Sequence, residues 1–228
     1  MLRPRDKNYD QHVRTVVPKL TRILARAFQA DSLEGACIGA STALTHMPSR
    51  LSVWSFGLAG STILEVPANR LRKDLFAVDF PDSDQSEVGH VWVVAPPFQI
   101  VDATIALQNW GNSPIRPFIP DSLVVETEAS VITPTVDDLI SPLVQKRKLL
   151  ESEGVQDSNL HNELIPNLSG FNENFPALSL TIGALHLRYC PTSPAMPNEP
   201  LEEIMSSSHY RRSAIEIWQQ EVVPAFDL

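Results

Sequence analysis

Cysteine is scarce in this chain: Cys37 and Cys190 are the only two in 228 residues. A disulfide scaffold is thereby excluded, and a reducing, cytoplasmic setting is the natural expectation. Long apolar runs are also missing. No uninterrupted stretch approaches the ~18–20 residues a membrane span needs, so no transmembrane segment is expected. The charged start, Met1-Leu-Arg-Pro-Arg-Asp-Lys7, is not followed by an apolar stretch, so a secretory signal is not expected either. Positive charge is in deficit. Eighteen Lys+Arg stand against 27 Asp+Glu, for a net charge of -9, which argues against nucleic acid as the main partner. No internal repeat and no domain boundary can be seen. What is present is a hydrophobic fraction of 43%, enough for one domain with a real core over 1–228.

The basic residues that do occur are bunched. Residues 1–26 hold Arg3, Arg5, Lys7, Arg14, Lys19, Arg22 and Arg26 against Asp6 and Asp10. This end reads as a solvated helix face, with contact to a partner or an anionic surface as the alternative. From Asp10 to Phe28 the apolar residues Val13, Val16, Val17, Leu20, Ile23, Leu24, Ala27 and Phe28 recur at steps of three and four. That spacing predicts an amphipathic helix, with a kink or fresh start at Pro18. A second helix is expected from Leu33 to Met47, rich in small residues (Gly35, Ala36, Cys37, Gly39, Ala40, Ser41) and ended by Pro48.

Strands are expected over Leu51–Leu58 and Ser61–Val66, joined at Ala59-Gly60. Asp79–Glu87 reads as a surface loop. Val88–Ala95 and Phe98–Thr104 read as a strand pair turned by Pro96-Pro97, because β-branched and aromatic residues dominate both halves. Leu123–Ile132 reads as a further strand. A helix opens at Thr135 or Asp137 and reaches Leu150, interrupted near Pro142. Glu151–Pro176 is polar and aperiodic, a long loop or lid. Ala177–Tyr189 reads as a last strand pair, Pro191–Pro200 as an irregular linker, and Ser206–Val223 as a closing helix.

Three residues carry a possible chemistry. Cys37 lies near the start of the small-residue helix, where unpaired N–H groups favour the thiolate. His90 follows it by 53 residues on a strand, and Asp102 follows His90 by 12 on the next strand. A carboxylate beside an imidazole fixes its tautomer and stabilises its positive form, leaving the other ring nitrogen for the thiol. Nucleophile, base and orienter of the base are what thiol activation requires. A metal site of the same three residues lacks the short clustered spacing of structural zinc sites and a fourth ligand, so no metal and no cofactor is expected. Each residue alone has an ordinary structural reading as well: a packed thiol, a satisfied core imidazole, a strand-end cap.

Gly35-Ala36-Cys37, His90-Val91-Trp92-Val93 and Val101-Asp102-Ala103-Thr104, in this order, resemble the motifs of the transglutaminase-like superfamily of papain-related cysteine enzymes. Met47-Pro48-Ser49-Arg50-Leu51-Ser52-Val53 is similar to that family's link from the cysteine helix into the core. The resemblance covers about residues 30–105 and leaves 177–228 as accessory elements. It implies an α+β fold: a cysteine-bearing helix packed on an antiparallel sheet, with accessory terminal helices. It also implies a Cys37-His90-Asp102 triad. There are departures. No aromatic residue follows Cys37, and the His90–Asp102 connection is short. For the oxyanion hole the backbone N–H of Cys37 is one donor; Gln29 is a papain-like candidate for the second, although it ends a helix. Trp54, Trp92 and Trp110 are candidates for a substrate groove.

The activity implied is acyl transfer through a thioester on a peptide, protein or small acyl substrate. Hydrolysis of an amide or peptide bond is favoured, since no calcium loop or dedicated amine site can be seen. The alternatives are transfer to an amine, as in transglutaminase-like or arylamine N-acetyltransferase-like enzymes, and a non-catalytic binding module of the same fold.

Overall fold

A computed structural model describes residues 7–31, 37–77, 89–108, 110–142, 145, 171–195, 199–205 and 211–228. The expected loop over 79–87, most of 151–176 and the start of the expected closing helix lie outside these residues. The chain divides into two compact units. The first comprises Met1–Gly57, Val91–Thr127 and Ala195–Leu228, and the second Leu58–His90 and Glu128–Pro194.

In the first unit, α1 (Lys7–Ala30) is one unbroken helix, and Val13, Val16, Val17, Leu20, Leu24, Ala27 and Phe28 are all buried. The apolar stripe is therefore the packed face. No fresh start occurs at Pro18. The carbonyl that Pro18 cannot bond is that of Arg14, on the exposed side of the helix, where the missing N–H is cheapest to tolerate. Helix α2 (Cys37–Arg50) likewise runs through Pro48 instead of ending before it. The Ser55 hydroxyl supplies the substitute: its Oγ donates to the carbonyl oxygens of Leu44 (3.3 Å) and Thr45 (3.2 Å). Leu44 is the residue four before Pro48, whose carbonyl has lost its helical donor.

Strands β3 (His90–Ala95) and β4 (Phe98–Asp102) form the antiparallel hairpin expected, turned by Pro96-Pro97 with a cis peptide bond. Val93 pairs with Val101 and Ala95 with Phe98, an irregular register. Strand β5 (Leu123–Val125) pairs with β4, setting Asp102 opposite Leu123. The core joins α1 and α2 to Val93, Ala95, Val101 and Ala103 of the hairpin and to Leu201, Ile204, Ile217, Trp218 and Val222 from the far end of the chain. That end is helical over Ala214–Ile217 (α4), then a π-helical turn at Trp218–Val222, then Val223–Ala225 (α5). Ser213 opens it with a capping box: the Glu216 carboxylate accepts from the Ser213 N–H and Oγ–H.

In the second unit, β1 (Phe56–Val66, entering from Gly57) is a single strand where two were expected. A Cβ on Gly60 would lie 2.1 Å from the Cys190 carbonyl oxygen, so this glycine marks a close approach of two strands and not a turn. Strand β2 (Leu71–Leu75), which the sequence reading passed over, pairs antiparallel with β1. The expected strand Leu123–Ile132 is two short ones: β5, and β6 (Ser130–Ile132), which pairs with β7 (Ala177–Ile182). Strand β8 (Leu185–Ala195) pairs antiparallel with β7 and runs through Pro191 and Pro194, where a linker was expected. The order within this unit is β2-β1-β8-β7-β6.

Helix α3 (Val136–Leu139) opens as expected at Thr135, whose N–H and hydroxyl both donate to Asp138. It is interrupted after one turn, where Ile140 is extended, close to Pro142 as expected. Pro142 and Gln145 are helical again, with the Gln145 N–H donated to the Ser141 carbonyl, and the rest of the stretch to Leu150 lies outside the described residues. Buried Asp138 also receives the Arg188 guanidinium at 2.7 Å. The architecture is mixed α+β with antiparallel strand pairing. Among the described residues no helix is long and apolar enough to cross a membrane.

Candidate active site

Cys37 is the first residue of α2, and its side chain lies outside what the structure describes. The sequence reading had the helix begin earlier, at Leu33, within residues that are likewise outside. One turn further on, Ser41 is buried, and its Oγ donates to the carbonyl oxygen of Val91 at 2.8 Å. This bond ties the second turn of α2 to the start of β3. Sequence reasoning took Ser41 merely as one of the small residues of the helix. Its partner is 50 positions away, and no local signal announces it.

His90 is the first residue of β3 and is 1% exposed. Gly89 before it has φ +80°, and a Cβ there would meet the Gly60 carbonyl oxygen at 2.9 Å, so glycine is needed at the entry to the strand. The Tyr189 ring of β8 lies 6.3 Å from the imidazole at an interplanar angle of 49°. Asp102 is the last residue of β4 and equally buried. Its Oδ1 accepts from the Thr104 N–H at 2.8 Å and from the Thr104 hydroxyl at 3.2 Å. The carboxylate thus caps the strand end, the ordinary structural role such a residue has. Val101 and Ala103 join the core under the helices, so alternation turns Asp102 to the other face of the strand, with Ile100. First residue of one strand and last of the next, His90 and Asp102 stand at the open end of the hairpin, away from Pro96-Pro97.

The remaining candidates fall in different surroundings. Gln29 is exposed near the end of α1. Trp54 is 57% exposed and stacked on Phe56 at 6.2 Å, with its backbone N–H donated to the Tyr9 hydroxyl. Trp92 and Trp110 are buried, and Trp110 Nε1 donates to the Ile105 carbonyl. They are core side chains of the first unit. Of the basic residues near the start of the chain, Arg14 forms a bidentate pair with Glu126, holding that carboxyl below its usual range. Lys19 donates to the Ala225 carbonyl and lies over the Phe226 ring. Arg22 and Arg26 are exposed. Cys190 is fully buried. Burial first, then the nearby Asp138 charge, pushes its thiol up to about 12, with Arg188 opposing. Among the described residues no three His, Cys, Asp or Glu side chains cluster as a metal site would need. Comparison with known proteins finds no match among protein families, curated proteins or solved structures.

Proposed function

We propose that this chain is a transglutaminase-like cysteine enzyme that hydrolyses an amide or peptide bond through a thioester. Cys37 is the nucleophile, His90 the base and Asp102 the residue that orients it. The observation that carries the reading is positional. A cysteine stands in the first described turn of a helix whose next turn is tied to β3, one residue beyond a buried histidine, and a buried aspartate ends the strand paired with that one. Alternation turns Asp102, and His90 with it, from the face that Val93, Ala95, Val101 and Ala103 give to the helices, so the reading requires Cys37 to reach both past the strand ends.

In the proposed reaction the Cys37 thiolate attacks the carbonyl carbon, and the backbone N–H of Cys37 stabilises the oxyanion. Protonated His90 gives its proton to the departing amine, leaving an acyl thioester. Neutral His90 then takes a proton from water, which attacks the thioester and releases the acid and the thiol. Asp102 holds the imidazole tautomer and favours its charged form.

The test has two parts. Iodoacetamide at neutral pH, with the site mapped by mass spectrometry, is expected to modify Cys37 far ahead of Cys190, whose buried thiol stays protonated there. On a panel of peptide amides and acyl esters, Cys37→Ala and His90→Ala should fall to background, while Asp102→Ala keeps a measurable fraction, because a thiol depends less on the third group than an alcohol does. Preferred modification of Cys190, or full activity in a folded His90→Ala protein, overturns the reading. Product analysis with an added amine separates hydrolysis from transfer.

A further inference from the structure

Hydroxyls within helices usually bond back to the carbonyl three or four residues earlier. Thr15, Thr21, Thr42 and Thr45 all do so here, to Gln11, Val17, Ile38 and Thr42. Ser41 departs from that habit. Its carbonyl four residues back is that of Cys37, yet the hydroxyl reaches across to the Val91 carbonyl instead. It does so at 3% exposure, beside the small buried Ala40 and Ala43, where apolar alanine would pack as well and favour the helix more. A buried hydroxyl at such a place is kept for the bond it makes.

We propose that Ser41 is a positioning residue for the nucleophile: its hydrogen bond fixes where α2, and hence Cys37 one turn earlier, stands along β3 at the residue next to His90. This rests on the reading of Cys37 and His90 given above. One turn of α-helix rises about 5.4 Å, so a slip or tilt of α2 at Ser41 is passed to Cys37 nearly undiminished. Thiol activation depends on distances of a few ångströms, and loosening of that order costs activity disproportionately. Ser41 touches no reacting atom; it acts through the helix.

The readout is the pH profile of Cys37 alkylation by iodoacetamide in the full chain, for wild type, Ser41→Ala, Ser41→Thr and His90→Ala, with thermal midpoints alongside. A purely structural role for Ser41 would lower the midpoint and leave the profile in place. The expected result is a wild-type inflection below the ordinary thiol range. It should move up in Ser41→Ala by enough to cut the rate at neutral pH about tenfold, the change that one pKa unit makes in thiolate fraction. Ser41→Thr keeps the hydroxyl and should restore most of the rate. A lowered inflection in wild type that is unchanged in folded Ser41→Ala overturns this inference and leaves the proposed function standing. An ordinary inflection in wild type, equally unmoved in His90→Ala, overturns both.

Discussion

A thiol that must stay neutral to stay buried makes the fold sensitive to alkali. Cys190 is held protonated far above its ordinary value of 9.0 by burial, with Asp138 adding to the effect. In the unfolded chain it ionises near 9, so between there and about 12 the unfolded state has lost a proton that the folded state keeps. Stability is therefore fully present below pH 9 and declines as pH rises through that window, by roughly 4 kcal/mol at its top. Urea denaturation at stepped pH should show this slope in wild type and a flatter one in Cys190→Ala, whatever the cavity costs at neutral pH; parallel slopes would refute the assignment. The sequence shows Cys190 beside Pro191 after an expected strand, which reads as a structural thiol and says nothing of its ionisation. Its behaviour comes first from burial and then from the charge of Asp138, 52 positions away in the chain, which no local pattern links to it. The candidate triad shows the same division. That Cys37 lies near the start of a helix, and His90 and Asp102 on two successive strands, could be read from local composition, though not the residues at which these elements begin and end. The Thr104 donors on Asp102 and the tie from Ser41 to Val91 could not, because both are set by how the chain closes on itself.

At the scale of elements, what could be read and what was misread have physical causes. The stripe of α1 was legible because one helical period accounts for every buried residue on it. The β3–β4 hairpin was legible because two prolines interrupt an otherwise β-branched run. Gly60 was misread because a glycine in a strand has the same letter whether the chain turns or is closely approached, and only the Cys190 carbonyl across from it decides. Gly60→Ala tests this directly. The added Cβ would meet the backbone at 2.1 and 2.8 Å, with no flexible side-chain end to give way. The expected loss is about 3 kcal/mol, at the upper end of ordinary overpacking, measured by chemical denaturation; a loss under ~1 kcal/mol would mean that the strands separate easily. Pro48 taught the opposite lesson: a reliable helix stop failed because Ser55, beyond the helix, donates to the freed carbonyl.

For the molecule as a whole, the first unit is assembled from both ends of the sequence. Arg212 holds Asp31 through two bonds of 2.9 and 3.2 Å and reaches Glu221 at 2.9 Å. The guanidinium is 19% exposed and the Asp31 carboxylate 8%, so this pair is less screened than a surface one. Arg212→Ala is expected to cost about 1–3 kcal/mol. A double-mutant cycle with Asp31→Ala should return a coupling near 1 kcal/mol, and strict additivity would show the pair to be idle. Neither unit is a contiguous stretch, and that escaped a reading in which composition shows no break. The joining of α1 to residues near 217–226 also has a consequence in time. At the usual pace of synthesis, roughly ten to forty seconds separate the appearance of Leu20 and Leu24 from that of Ile217 and Val222. During that interval the α1 stripe has α2 and then the β3–β4 hairpin to pack against but not its last partners, so the nascent chain still shows apolar surface that a chaperone at the ribosome exit could hold.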